Sequence, residues 1–180
     1  MGFGLDPLYT PKRHVTGTEI AVFDTSKGTI RVRLDGVGAP IHVANFCELA
    51  ESGFYDDTKF HRYVPGFVIQ GGDPYTREMN PADVTAGRPG ADGIPGTGGP
   101  GYRIKAEFAS NPHNLHDDGA LAMARSSDPD SAGSQFYFCL GSQHGLDSGY
   151  TVFGKTLEGK AVIAELRAGD VLHSVRIETV

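Results

Sequence analysis

Residues 60–73 read FHRYVPGFVIQGGD and set a few polar side chains among many aromatic and aliphatic ones. His61, Arg62 and Gln70 can form hydrogen bonds, and two glycines follow them. An apolar cleft with a few aimed hydrogen-bonding groups is a common design for a binding site. The alternative is an ordinary sheet edge, in which Arg62 pairs with a surface carboxylate and Gln70 is a plain strand residue.

A second region repeats this pattern. GSQFYFC covers 133–139 and GLDSGYTVFG covers 145–154, and both interleave aromatic residues with Gln or Tyr. Two separated apolar strands that carry such polar residues can line one cleft. The sequence therefore favours a single groove built from both regions.

Other motifs argue against cofactor and covalent chemistry. GTGGPG at 96–101 has the glycine spacing of a dinucleotide fingerprint, but it contains Pro100 and lacks the strand before it and the helix after it. It is therefore predicted to be a glycine-rich turn next to a groove. Ser134 has no evident base, and Cys47 and Cys139 each lie in an apolar run, so both cysteines are predicted to be buried free thiols.

The segment HNLHDD at 113–118 offers residue types that bind metals. Isolated His and Asp pairs in loops are usually solvated. No metal site is predicted here, and the four side chains are expected to face water: His113, His116, Asp117 and Asp118.

The predicted elements that position these residues are mainly strands. A helix is predicted in 39–53, where Pro40 lies near the first turn and Gly53 follows the last, with His42 expected at the surface. A second, short helix is predicted in 159–169. Alternating or apolar runs predict strands at 19–25, 29–34, 59–64, 66–72, 102–108, 119–125, 134–140, 150–156 and 174–180.

Short strands without a βαβ repeat predict an antiparallel barrel or sandwich with helices covering its ends. The composition changes between 74 and 101, where Pro, Gly, Thr and Asp dominate. Such a long segment without periodicity is expected to be a surface loop with a function or a mobile insertion.

Composition limits the partners. The chain has 180 residues, of which 39% are hydrophobic, which is enough for one domain with its own core. It has 16 Lys and Arg against 22 Asp and Glu, a net charge of -6, so nucleic acid is not an expected partner. The sequence contains no run of 18 apolar residues, so a membrane-spanning helix is not predicted. The first 19 residues lack the pattern of a secretion signal, and Asp6 stands where a myristoylation signal requires Ser or Thr. A cytoplasmic protein is expected.

Five motifs carry a family resemblance: FHRYVPGFVIQGGD, GTGGPGY, LAMAR, GSQFYF and LDSGYTVFGK. In this order and spacing they resemble the cyclophilin-type peptidyl-prolyl cis-trans isomerases, most of all the compact bacterial form. The resemblance covers Glu19 to Val180. It leaves 1–18 as an N-terminal extension and about 75–95 as a loop insertion.

The resemblance implies a mainly β fold, an eight-stranded antiparallel barrel capped by two α-helices. It implies an enzyme that rotates X-Pro peptide bonds and assists protein folding. It further implies that the protein acts as a monomer on proline-containing polypeptides, without a cofactor or a metal.

The resemblance also implies residue roles. The catalytic residues would be Arg62, Gln70 and Phe67. Substrate binding would fall to His61, Val68, Gly96, Ala124, Arg125, Gln135, Tyr137, Leu146 and Tyr150. Within this set, Phe67, Val68, Tyr137 and Leu146 would hold the proline ring. The residues before proline would lie along Gly96, Ala124 and Arg125, with Arg125 acting mainly through its main chain. His61 is expected to be structural, because rotation of the bond requires no proton transfer.

Departures from the family pattern predict differences in binding. Gly145 stands where well-known eukaryotic members have a tryptophan associated with cyclosporin, so weak cyclosporin binding is predicted. Tyr137 and Tyr150 stand where many members have Phe and His, which predicts retained activity with an altered substrate preference. The 75–95 insertion either restricts the entry of substrates or has no role.

Two other function classes remain open. A binding module would recognise proline-containing segments without turnover, but members of that kind tend to lose the arginine that Arg62 represents. A structural subunit of a larger complex would hold its partners through residues 1–18 or through the insertion. Turnover of short peptides distinguishes an enzyme from a binding module. Recovery of stable partners from the native cell would indicate a structural subunit.

Overall fold

The computed structural model describes residues 6–179; residues 1–5 of the predicted extension and Val180 lie outside this range. Nine strands are present in the described part: β1 Glu19–Thr25, β2 Gly28–Leu34, β3 Thr58–Lys59, β4 Arg62–Val64, β5 Val68–Gly71, β6 Ala120–Met123, β7 Phe136–Cys139, β8 Val152–Glu158 and β9 Val171–Thr179. The helices are α1 Pro40–Glu51, α2 Pro81–Thr85 and α3 Lys160–Glu165, with 3-10 turns at Pro74–Thr76 and His144–Leu146.

The strands form one antiparallel sheet in the order β3-β9-β1-β2-β8-β6-β7-β5-β4. Its two end strands, β3 and β4, are separated in sequence only by Phe60 and His61. The Phe60 amide donates to the Asp170 carbonyl beside β9, and the His61 amide donates to the Gln70 carbonyl in β5. The two ends of the sheet therefore meet, and the sheet curls into a barrel.

This architecture confirms the predicted fold class, with corrections to the count of elements. Nine strands are found instead of the eight that the resemblance implied. They are not the same nine as the runs predicted from the pattern, because the run at 59–64 bends and pairs its two halves with different neighbours, β9 and β5. The predicted strand at 102–108 is wrong, since there only Arg103 and Ile104 form isolated bridges. Three α-helices are found instead of two, because α2 lies inside the 75–95 segment.

Alternation along the strands separates the core from the outer face of the barrel. In β7, Phe136 and Phe138 are buried in the main core, whereas Tyr137 belongs to a separate cluster with Val68 of β5. The Phe136 ring lies 5.5 Å from that of Phe23, edge to face. Successive side chains of a strand point to opposite faces, so the strand that fixes the core also presents Tyr137 outward.

Helix α1 covers part of the barrel core. Pro40 occupies its first turn, where a missing amide hydrogen costs nothing, and the Glu107 carboxylate accepts the free amides of Ile41 and His42 at 3.1 and 2.7 Å. The same carboxylate contacts His42 Nδ1 at 2.7 Å. His42 is only 1% exposed, so its predicted surface position is wrong.

The described part of the N-terminal extension is fastened to α1. Glu48 accepts hydrogen bonds from the Tyr9 hydroxyl at 2.6 Å and from the Lys12 amide at 2.6 Å. Arg13 forms ion pairs with Glu19 and Glu51 at 2.8 and 3.0 Å. Residues 6–18 therefore pack against the barrel domain through a carboxylate-rich edge of α1.

The 75–95 segment has structure of its own, contrary to the expectation of a structureless loop. The Asn80 side chain caps α2 by accepting amide hydrogens from Ala82 and Asp83. Val84 is buried, and the Thr85 hydroxyl donates to the Ala168 carbonyl at 3.0 Å. These contacts hold the segment beside the loop that precedes β9.

Within the described residues, no helix is long and apolar enough to span a membrane. Over the same range, His, Cys, Asp and Glu side chains do not form a group of three or more that could hold a metal ion. Both cysteines, Cys47 and Cys139, are buried free thiols, as predicted.

Candidate active site

A groove of about 460 Å³ lies on the outer face of the barrel. All twelve residues predicted for the site line it, together with Pro95, the last residue of the predicted insertion. The lining residues are His61, Arg62, Phe67, Val68, Gln70, Pro95, Gly96, Ala124, Arg125, Gln135, Tyr137, Leu146 and Tyr150. The two regions singled out in the sequence therefore do share one groove.

Strand register brings the polar members together. Arg62 of β4 pairs with Gln70 of β5, and Gln70 pairs in turn with Tyr137 of β7. Arg62 Nη1 donates to Gln70 Oε1 at 3.4 Å, and Gln70 Nε2 donates to Gln135 Oε1 at 3.0 Å. Gln135 is 1% exposed and donates through Nε2 to the Gly98 carbonyl at 2.8 Å. This amide relay links the exposed guanidinium to the buried Gly98 in the glycine-rich loop at 96–101.

Asp73 fixes that loop. Its buried carboxylate accepts the amide hydrogens of Tyr75 at 2.8 Å, Gly96 at 2.6 Å and Gly98 at 3.3 Å. A Cβ at Gly98 would collide with the Asp73 carboxylate. The turn at 96–101 is thus a groove wall, as predicted, and its glycine allows this close approach. Asp73, the last residue of FHRYVPGFVIQGGD, was not among the predicted site residues.

The apolar end of the groove is built from β5 with the residue before it, from β7, and from the second 3-10 turn with the segment after it. Val68 and Tyr137 are buried, and Phe67, Leu146 and Tyr150 are partly buried against them. The rings of Tyr137 and Tyr150 meet edge to face at 6.3 Å. These side chains form an apolar socket at one end of the groove.

His61 lies at the polar end of the groove. Burial lowers the pKa of His61 to about 4, an effect that the nearby Asp73 carboxylate opposes. Its Nδ1 is buried without a hydrogen-bond partner in the described chain, and its Nε2 lies 3.5 Å from Gln70 Nε2. His61 is therefore uncharged at neutral pH and contacts no acid or base that would move a proton through it.

Behind the socket lies a polar chain that the sequence analysis missed. His116 is fully buried, so the prediction that it faces water is wrong. Its Nδ1 lies 2.9 Å from Asp147 Oδ1, and its Nε2 lies 2.9 Å from the Tyr137 hydroxyl. Burial lowers the pKa of His116, against the opposing effect of Asp147. Neutral His116 therefore carries its proton on Nδ1 and accepts the Tyr137 hydrogen on Nε2.

This chain predicts a stability effect with little effect on activity. Replacing Tyr137 by phenylalanine keeps the ring of the socket but leaves His116 Nε2 buried without a donor. We expect the free energy of unfolding to fall by about 1–2 kcal/mol, while kcat/KM changes by less than about threefold, a difference of under 1 kcal/mol. Urea unfolding and a prolyl exchange assay measure the two quantities.

A matched control for that substitution is Tyr63→Phe, because the Tyr63 hydroxyl makes no hydrogen bond within the described chain and its ring lies under Arg167. An equal loss of stability in both variants would show that the contact with His116 contributes nothing of its own.

Arg125 borders the groove with its side chain as well as its main chain. Its Cζ lies 4.5 Å from the centroid of the Tyr150 ring, and its Nε donates to the Gly149 carbonyl at 2.8 Å. The Ala124 amide before it bonds to the Gln135 carbonyl at 2.9 Å. The guanidinium is therefore held in place at the rim.

The groove can therefore hold a small apolar ring in the socket, with the Arg62 guanidinium aimed at the same space by Gln70. It has no group arranged for covalent attack or proton transfer among its lining residues. An antiparallel sheet curled into a barrel, with this groove on its outer face, is the arrangement that the resemblance implied.

Comparisons with known proteins identify the family. A family model, described as cyclophilin type peptidyl-prolyl cis-trans isomerase/CLD, matches residues 20–180. The chain is 39% identical over 176 residues to a peptidyl-prolyl cis-trans isomerase of Helicobacter pylori, covering 95% of this chain and 96% of that one. The chain belongs to the cyclophilin-type peptidyl-prolyl cis-trans isomerase family. It catalyses cis-trans isomerisation of X-Pro bonds, and assisting protein folding is the general role of this family.

A second bacterial relative and a solved structure support the same family. The chain is 44% identical over 140 residues to peptidyl-prolyl cis-trans isomerase B of Bacillus subtilis, covering 78% of this chain and 84% of that one. A crystal structure of a Cryptosporidium parvum cyclophilin type isomerase, determined in the presence of the dipeptide Ala-Pro, superposes with a TM-score of 0.71 at 26% identity. The match covers 89% of this chain and 99% of that one.

Proposed function

We propose that Arg62 accelerates X-Pro rotation by stabilising the twisted amide. Resonance gives the planar amide a rotation barrier of about 18–20 kcal/mol, so exchange without a catalyst takes tens to hundreds of seconds. In the twisted state the prolyl nitrogen regains a lone pair that can accept a hydrogen bond. A guanidinium held beside that nitrogen binds the transition state better than either planar form, and this difference is what lowers a barrier.

In this proposal the remaining side chains divide the substrate between them. Phe67, Val68, Tyr137 and Leu146 hold the proline ring while the preceding carbonyl turns. Gln70 and Gln135 bind the substrate backbone, and Gln70 also orients Arg62. The residues before proline follow Gly96, Ala124 and Arg125, and Tyr150 closes the rim. His61 supports the wall next to Gly96.

The observation that carries the proposal is the relay from Arg62 through Gln70 and Gln135 to the Gly98 carbonyl. The test measures the cis to trans exchange of an X-Pro tetrapeptide in the presence of the natural protein. A protease-coupled assay monitors this exchange. Acceleration by at least about a thousandfold, equivalent to roughly 4 kcal/mol, is expected. Peptide binding without acceleration would instead favour the binding module.

We also propose that the protein works as a cytoplasmic monomer, with 1–18 as an extension and 75–95 as an insertion in a domain that spans 19–180. The negative net charge and the two unpaired cysteines, Cys47 and Cys139, support this location. The contacts of Tyr9 and Arg13 with α1 support an extension that serves the domain itself. Pro95 in the groove lining supports a role for the insertion in substrate entry.

Weak cyclosporin binding is proposed because Gly145 replaces the family tryptophan. A Cβ built at Gly145 meets nothing within 4 Å, so the backbone there is open to the first atom of a side chain. We expect Gly145→Trp to tighten cyclosporin binding by about tenfold or more, a change of roughly 1.4 kcal/mol. Calorimetry on both proteins measures it. A nanomolar Kd for the natural protein would contradict the proposal.

A further inference from the structure

Two arginines, Arg62 and Arg125, line the groove, and none of its lining residues carries a carboxylate. Its histidine, His61, is uncharged at neutral pH and does not alter this balance. The whole chain carries a net charge of -6, so the groove is a positive site on a negative protein. Clefts that carry one sign of charge concentrate ligands of the opposite sign.

Arg125 is the guanidinium whose charge the proposed mechanism does not use. Its Nε donates to the Gly149 carbonyl at 2.8 Å and its Nη1 to the Ser126 carbonyl at 2.9 Å, while the Tyr150 ring supports its face. Its Nη2 makes no hydrogen bond in the described part of the chain. Because Nε and Nη1 are anchored, Nη2 of Arg125 is held in a fixed direction. This preorganisation reduces the entropy that the side chain loses on binding a ligand.

Among the described residues, no carboxylate forms an ion pair with Arg125. Four other arginines form ion pairs with carboxylates: Arg13, Arg31, Arg88 and Arg176. Within residues 6–179, Arg125 forms none. Arg125 is half-buried, and its guanidinium is fixed by hydrogen bonds but is not paired with a carboxylate of the described chain. Because Arg125 lines the groove, this guanidinium can bind an anionic group of the ligand.

We infer that Arg125 forms an anionic subsite that selects proline segments with an acidic residue on the N-terminal side of the proline. This inference rests on the proposed function, which places the residues before proline along Gly96, Ala124 and Arg125. A Glu or Asp carboxylate of the substrate accepts hydrogen bonds from Arg125 Nη2. The substrate class is therefore acidic-Pro segments, with neutral segments turned over less efficiently.

The test uses peptides with blocked ends that differ only at the first or the second residue before proline, where Glu, Gln or Lys is placed. Glu and Gln have nearly the same shape, so their ratio of kcat/KM isolates the charge. For a rim site partly exposed to water we expect Glu to exceed Gln by about threefold at low salt, mainly through a lower KM, and the ratio to fall as salt rises. Lys should give the lowest value.

Variants assign the preference to Arg125. Arg125→Gln should bring the Glu to Gln ratio to about one, and Arg125→Lys should keep part of it, because lysine keeps the charge but not the fixed fork. Arg33→Gln, an exposed change outside the groove lining, should leave the ratio unaltered. The inference fails if the natural protein does not distinguish Glu from Gln, if Arg125→Gln keeps the preference, or if Glu is preferred only after proline. Failure to accelerate any of the peptides would instead overturn the proposed function itself.

Discussion

The substitution Arg62→Ala is expected to lower kcat/KM for an X-Pro peptide by about a hundredfold to a thousandfold. This is the usual effect of removing a hydrogen-bond donor that stabilises the transition state. Arg62 is exposed, and its one side-chain hydrogen bond within residues 6–179 is with Gln70, so the fold should persist. The loss should appear in kcat more than in KM, because the prolyl nitrogen accepts a hydrogen bond only in the twisted state. A protease-coupled assay measures both constants.

Two variants control this result. Arg62→Lys keeps the charge but loses the planar fork that Gln70 orients, so it should recover only part of the activity. Arg33→Ala removes an exposed arginine from β2, outside the groove, and should behave as the natural protein. Full activity in Arg62→Ala would remove the guanidinium from the mechanism.

Asp73→Asn is expected to have the second largest effect, on stability and activity together. The amide can no longer accept all of the hydrogen bonds from Tyr75, Gly96 and Gly98, and its own NH2 group faces amide donors. For a buried carboxylate we expect the free energy of unfolding to fall by about 2–3 kcal/mol. Since Gly98 also ends the amide relay, kcat/KM should fall by about tenfold, or 1.4 kcal/mol.

Asp92→Asn is the matched control, because it makes the same chemical change at an exposed carboxylate of the same segment. Urea unfolding gives the stabilities, and the exchange assay below the unfolding range gives the activity. If Asp73→Asn lost stability but kept full kcat/KM, the loop would not position Gln70 and Arg62.

The sequence predicted the features that depend on local pattern. Alternation along 134–140 correctly placed a strand with aromatic residues, and ordered motifs located Arg62, Gln70 and Gln135 in one groove. The 59–64 strand failed because a pattern along the chain does not reveal that its two halves pair with different neighbours. The 102–108 strand failed because its alternation has no partner strand beside it for more than isolated bridges.

The polar contacts behind the groove could not be predicted, because their partners are far apart in sequence. His42 and Glu107 are 65 residues apart, and His116 and Tyr137 are 21 apart. A histidine in a first helical turn or a polar loop has a surface pattern until the chain folds a carboxylate or hydroxyl against it. Burial of such groups is decided by tertiary packing, which composition and periodicity do not encode.

The most direct test of the central claim is exchange NMR of an X-Pro peptide at saturation, with the natural protein and Arg62→Ala. At saturation every protein molecule carries a peptide, so the measured exchange rate does not depend on the affinity. We expect similar Kd values for the two proteins and bound-state exchange at least about a hundredfold slower in Arg62→Ala, a difference of roughly 2.7 kcal/mol in the barrier. Equal exchange rates at equal saturation would contradict the twisted-amide account.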